Sequence, residues 1–237
     1  MGSPEFPLRR VPGFEGTHYV MVDGEIRWAG PLQVAHPRNL VSTYMPPAAP
    51  APTQAQWLRM RELALGIAVV SAKGLMCWRL GLALPFPLDR AAARFDQIAL
   101  ALRSADATAL LSSCEQVLGL GPGLTPSGDD FLGGLFFALA CSPSWRRRPE
   151  LAQVRDSLIQ RACDPGMART NVISAALMAD LMRQQSYQPV HDLMHAMSRL
   201  DGMAVQQHID QLAQVGSSSG FDILAGLFTA IIDGTSP

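Results

Sequence analysis

Between Thr17 and Gly30 the chain reads THYVMVDGEIRWAG, with apolar and polar positions alternating on either side of Asp23-Gly24. A period of two around an Asp-Gly pair predicts a β-hairpin. NLVSTYMP, residues 39–46, offers another short strand, and PPAAPAP, residues 46–52, forms a stiff linker that neither helix nor sheet accommodates. From Thr53, a good helix cap, the period changes to that of a helix. After TQAQWLRMRELALGIAVVSA, further helices are expected across Leu88–Arg103, Ala107–Leu118, Asp129–Ala140, Glu150–Cys163, Asn171–Gln185, Val190–Arg199, Met203–Val215 and Phe221–Ile232. The expected fold class is α+β. Residues 1–6 read as a tag remnant and 7–45 as a small β-rich N-terminal unit. Residues 46–52 form the linker, and 53–237 a large, mostly helical domain with an internal helix-start repeat.

That repeat relates Ser127–Leu139, SGDDFLGGLFFAL, to Ser219–Ile231, SGFDILAGLFTAI, which begins 92 residues later and is identical at 8 of 13 positions. One reading is purely structural. Ser-x-x-Asp ahead of an apolar run is a capping box, which pairs Ser127 with Asp130 and Ser219 with Asp222. Gly134 with Ala138, and Gly226 with Ala230, place small residues one turn apart and permit close packing, including of the two helices on each other.

The capping reading has no need of Gly119, Gly121 and Gly123 in the preceding loop, nor of Asp129, whose counterpart in the second copy is Phe221. A glycine-rich loop feeding a helix start exposes successive backbone amides, an arrangement that cradles anions. The expected cradle comprises Gly121, Gly123, Leu124 and Thr125 together with Ser127. Two carboxylates at the same place repel a bare anion. Either a divalent cation such as Mg²⁺ bridges Asp129 and Asp130 to it, or the ligand turns amide hydrogens toward Asp129. In the second copy, Ser217, Ser218 and Ser219 could complete a pocket. Arg169, just ahead of a helix in ARTNVIS, could neutralise a phosphate or carboxylate. The remaining motifs have plainer readings. His191 and His195 have metal-ligand spacing but no third ligand, Lys73 reads as a snorkelling lysine, and Ser127 is not in a nucleophile elbow.

Composition narrows the function classes. Hydrophobic residues are 48% of the chain and charged residues 16%, so the core is large and a face is available for another subunit. A net charge of -1 and a single basic cluster, Arg146–Arg148, argue against nucleic acid. The cysteines Cys77, Cys114, Cys141 and Cys163 lie far apart and read as buried thiols of a reducing compartment. With no signal-like segment and no bilayer-length apolar stretch, a cytoplasmic location is expected.

GLGPGLTPSGDDFLGG (119–134), ARTNVIS (168–174) and VGSSSGFDILAGL (215–227), in that order, resemble a bacterial family that includes a subunit associated with oxamate carbamoyltransferase. The resemblance implies a multisubunit enzyme that moves a carbamoyl group between oxalurate and phosphate. It carries over no catalytic residue. Here Ser217 and Ser218 stand where the family often has a histidine or other polar group, and Phe221 follows the Ser-Gly.

Three functions are therefore expected in turn. The first is a carbamoyltransferase subunit that binds carbamoyl phosphate or a related small anion at the glycine loop. In it Asp129 and Arg169 act in catalysis, Gly121, Gly123, Leu124, Thr125, Ser127, Ser217, Ser218 and Ser219 bind substrate, and Asp129 with Asp130 is the candidate Mg²⁺ site. The second is a non-catalytic partner in a hetero- or homo-oligomer. The third is a Mg-ATP-dependent phosphoryl-transfer enzyme, disfavoured because no Walker lysine follows the loop.

Overall fold

The computed structural model describes residues 19–22, 25–28, 51–164, 166 and 169–234. Ten α-helices dominate these residues: α1 (Gln54–Gly66), α2 (Leu75–Arg79), α3 (Ala92–Arg103), α4 (Ala107–Glu115), α5 (Ser127–Cys141), α6 (Pro149–Cys163), α7 (Val172–Met182), α8 (Gln188–Ser198), α9 (Gly202–Leu212) and α10 (Ser219–Asp233).

The expected α+β class with a β-rich N-terminal unit is overturned, because the protein is mainly helical. Among the described residues the strands are β1 (Tyr19–Val22) and β2 (Glu25–Trp28), antiparallel, with Tyr19 opposite Trp28 and Val22 opposite Glu25. Alternation around Asp-Gly signals local pairing, and a pair of four-residue strands cannot enclose a core. The strand expected in 39–46 lies outside the described residues.

Two helices form the centre. α5 is buried from Ser127 to Leu139 and α10 from Gly220 to Asp233. Helices apolar on every side belong inside a fold, and these two pack chiefly on each other. α7 covers α5, while α1, α2 and α3 cover α10. Glycine makes the central contact. A Cβ on Gly134 would stand 2.2 Å from the Ile223 carbonyl oxygen, and one on Gly226 would stand 2.0 Å from that of Phe131. The close packing anticipated for these glycines is therefore present, and it is mutual.

The outer elements have local causes. Thr53 caps α1 in a full capping box with Gln56, and Asp106 and Asn171 cap α4 and α7 through their side chains. Trp78, Phe95 and Phe131 join α2, α3 and α5 with ring centroids 5.0–5.9 Å apart. At the far end of α10, the buried Asp233 receives Arg79 at 2.7 Å and Arg103 at 2.8 Å. The Arg61 Nε donates to the Ile232 carbonyl at 3.0 Å, so cations gather at the negative helix end. Cys77 and Cys114 are buried as expected, whereas Cys163 is exposed; none of the four is in a disulfide. Among the described residues no helix is long and apolar enough to cross a membrane.

Adding one methyl at the helix crossing has a predictable cost. Gly134→Ala and Gly226→Ala should each destabilise by about 2–3 kcal/mol or more, because the obstacle is backbone that cannot rotate away. Gly66→Ala, where the new methyl meets nothing within 4 Å, should be neutral or gain up to about 1 kcal/mol. Urea denaturation of the three variants checks the contrast.

Candidate functional site

Close packing of α5 and α10 brings their N-termini together. The Thr125 and Ser219 hydroxyls meet at 2.9 Å, one from the loop before each helix start or its first residue. The capping boxes expected within each helix are not formed. Ser127 is already the first residue of α5, its cap position is Pro126, and neither Pro126 nor Ser218 caps through a side chain. The polar groups pair across the crossing instead. The Ser219 hydroxyl lies beside Asp130, and the Ser127 and Ser218 hydroxyls beside Asp222, each tending to lower the carboxyl's pKa. A helix start repeated in sequence has become a two-helix polar centre in space.

Asp129 and Asp130 have different surroundings although they are adjacent. Asp129 is 1% exposed. Its Oδ1 accepts from the Gly119 amide at 2.7 Å, and its Oδ2 accepts from the Ser174 hydroxyl at 2.6 Å and from the Thr170 hydroxyl. Burial raises its pKa while the Ser174, Thr170 and Gly119 hydrogen bonds counteract this. Asp129 thus pins three segments together: the glycine loop, the 169–171 turn and the start of α7. The turn is held again by Asn171, whose Nδ2 donates to the Leu124 carbonyl at 2.9 Å. Gly119 is required at its own place, because a Cβ there would stand 2.0 Å from the Arg169 carbonyl oxygen.

Asp130 and Asp222 are 6% and 0% exposed, and the Oδ2 atom of each is buried with no hydrogen-bond partner. Asp222 Oδ1 accepts from the Leu75 amide at 2.6 Å. Gly74 lets that backbone approach, since a Cβ on it would lie 2.2 Å from Asp222 Oδ1. Burial drives the Asp130 carboxyl well above its ordinary pKa, and the Asp222 charge adds to the rise. Burial likewise pushes Asp222 up to about 6, against the Leu75 amide and the Ser127 and Ser218 hydroxyls.

The glycine loop itself is rich in donors. The amides of Gly121, Gly123, Leu124 and Thr125 have no hydrogen-bond partner among the described residues. Gly121 and Gly123 have φ of 119° and 94°, left-handed conformations that glycine adopts without strain. Pro122, Gly123 and Leu124 are exposed, with Gly121 and Thr125 half-buried.

Thr125 and Ser219 thus lie near Asp130, and Ser127 and Ser218 near Asp222, while Ser217 is exposed and makes none of these contacts. Arg169 is exposed and its Nη1 donates to the Glu115 carbonyl at 3.0 Å. Asp129 adjoins the loop, but both its oxygens are engaged by the protein. Among the described residues no group of three or more His, Cys, Asp or Glu is placed to hold a metal ion. His195 is exposed and His191 stacks edge-on against Phe137 at 5.0 Å. Sequence reasoning missed Asp222 as a partner of Asp130, and also Gly74-Leu75. The repeat contained the first signal, since it aligns Asp130 with Asp222; nothing local marks the second.

Fold and site together define a helical protein built on a duplicated helix start, with an amide-rich loop before the first copy. Residues 117–231 match the family model described as oxamate carbamoyltransferase subunit AllH, which supports membership in that family. The match begins two residues before the glycine loop and ends inside α10, so it contains both helix starts. No solved structure matches the chain.

Two outcomes follow from this geometry. Asp129→Ala leaves an amide and two hydroxyls without their acceptor and should cost roughly 2–4 kcal/mol in urea denaturation. Asp129→Asn, which keeps the acceptor for Gly119, should cost less. The second outcome concerns pH. A carboxyl whose folded pKa lies above its unfolded value stabilises the fold at low pH, and that contribution is lost as the pH rises through the folded pKa. For Asp222, at about 6 in the fold, stability should fall between pH 4 and 7 by on the order of 3 kcal/mol. Asp222→Asn should flatten that slope in denaturation curves taken across the range, leaving the part due to Asp130.

Proposed function

We propose that this chain is the subunit of an oxamate carbamoyltransferase-like complex that holds the small anionic substrate, carbamoyl phosphate or a close relative. The observation that carries the reading is the row of unpartnered amides at Gly121, Gly123, Leu124 and Thr125, placed just ahead of the N-terminus of a fifteen-residue helix. Amides and the positive helix end are together suited to phosphate or carboxylate oxygens. Carbamoyl transfer forms a bond from an amide nitrogen to the carbamoyl carbon and breaks that carbon's bond to the phosphate oxygen. Negative charge grows on the departing phosphate, so positioning and fixed donors supply most of the catalysis. The Ser127 amide extends the cradle. The exposed Arg169 guanidinium is near enough to the loop, through the Gly119–Arg169 backbone contact, to swing toward the anion and neutralise its charge.

Asp129 acts in this reading as a positioning residue that keeps the loop in its donor-exposing shape. Mg²⁺, if used, would arrive with the ligand and draw on Asp130 rather than on the fully engaged Asp129.

A second reading, a partner subunit without a substrate of its own, is favoured by one observation. Leu65, Val70, Leu82 and Phe86 are large apolar side chains that are 56–79% exposed, a composition suited to contact with another subunit.

Thermal unfolding in the presence of carbamoyl phosphate, inorganic phosphate or oxamate, each with and without Mg²⁺, separates the two. A ligand that binds the folded state raises the midpoint by mass action. A rise with one of these anions, lost in Gly121→Ala, whose new methyl would stand 2.8 Å from the Ser127 amide nitrogen, is the expected result. Arg169→Gln should weaken the same ligand about tenfold or more. No rise with any of them would leave the partner reading.

A further inference from the structure

Between Glu62 and Asp89 the charged residues are Lys73 and Arg79 alone, and Arg79 is engaged by Asp233. Two nearly uncharged stretches thus flank α2, residues 67–72 before it and 80–87 after it. They meet at Cys77, whose thiol donates to the Ala72 carbonyl at 3.3 Å and whose own carbonyl accepts from the Leu82 amide at 2.8 Å. Val70, Leu82 and Phe86 stand out from this surface, 79%, 56% and 77% exposed. Continuous apolar surface of this kind marks a place where another chain docks.

The backbone of the first stretch indicates the form that chain takes. Directly after α1, Ile67 is extended, with φ −76° and ψ 129°. Ile67 and Val69 pack against the core, whereas Ala68 and Val70 are exposed. That alternation belongs to a half-buried strand. Yet the amides of Ala68, Val69 and Val70 have no hydrogen-bond partner among the described residues. Ser71, with φ of 56°, ends the stretch. An edge without a sheet pairs readily with an extended segment through main-chain hydrogen bonds. The same stretch of a second copy fits it poorly. Paired strands lie about 4.8 Å apart. Antiparallel pairing would bring α1 of each copy, a helix about 10 Å across, against residues 71–74 of the other. Lys73, exposed just beyond the edge, favours a carboxylate on the incoming chain.

We propose that residues 67–70 accept an extended apolar segment of another polypeptide as an added strand. Leu65, Val70, Leu82 and Phe86 cover its side chains, and Lys73 pairs with a carboxylate beside it. The inference rests on the subunit role common to both readings of function and is independent of the anion loop.

A fluorescent hexapeptide alternating valine and threonine, with a glutamate added at one end, serves as the probe, and its anisotropy with the full chain reads binding. Binding is expected. Methylating alternate peptide nitrogens of the probe removes donors and keeps its side chains, and should weaken binding about tenfold or more. On the protein, Ala68→Pro removes one donor at an exposed position whose preceding residue is already extended, as proline requires, and should weaken the probe likewise. Lys73→Glu should reverse the preference, so that a probe ending in lysine binds better than one ending in glutamate. The methylated probe needs no variant, should either substitution disturb the fold. No binding, or equal binding of the methylated and unmethylated probes, would overturn strand addition. Sedimentation showing a dimer that Ala68→Pro dissociates would assign the edge to a second copy and overturn the proposal as well. If the probe fails while inorganic phosphate still raises the thermal midpoint, this inference falls and the anion loop stands.

Discussion

Backbone contact between α5 and α10 is the constraint on which the rest of the structure depends. Gly134 lies against the Ile223 carbonyl and Gly226 against that of Phe131, closer than any side chain permits. Helices this close share their ends as well as their middles. Two positive helix N-termini, two serines and two aspartates then occupy one small volume. The Ser219 hydroxyl beside Asp130 and the Ser127 hydroxyl beside Asp222 follow from this meeting of helix ends. The remaining helices enclose a centre whose geometry this contact has already determined.

Within this near-symmetry the two copies have diverged where loops meet them. Asp129 in the first copy gathers Gly119, Thr170 and Ser174, while Phe221 at the same place in the second is 4% exposed and packs in the apolar core. Only the first copy has a long glycine-rich lead to be held in place, and a carboxylate with three donors does this without a ligand. The second copy receives its outside contact one residue later in the repeat, at Asp222, from Gly74 and Leu75. Each half thus ties a different loop to the centre.

Most of the helical architecture was legible because its causes are local. Thr53, Asp106 and Asn171 cap as residues of their type do, and apolar periodicity placed most of the long helices within a few residues, although α1 ends at Gly66, short of the expected Ala72, and α2 was missed. The β-rich N-terminal unit was misread because alternation reports pairing of neighbours and says nothing about whether further strands exist to make a sheet. The site was legible in its membership more than in its connections. Ser127, Ser219, Thr125 and Asp130 stood out by motif, yet a capping box written along one helix and a pair exchanged between two helices have identical sequences. Asp129 stood out as the residue the repeat does not need. The donors that occupy it come from Thr170 and Ser174, more than forty residues away, and no local pattern announces them.

The energetic position of Asp130 and Asp222 bears on what the centre is for. A buried acid pair with one bare oxygen on each member is a poor way to hold two helices together. Desolvation costs several kcal/mol per ion, and apolar replacements of similar size are often neutral or stabilising at such places. The glycine contacts already hold α5 and α10, and the surrounding leucines and phenylalanines already exclude water. Packing therefore gives no account of the two carboxylates, whereas it accounts fully for Phe221 beside them.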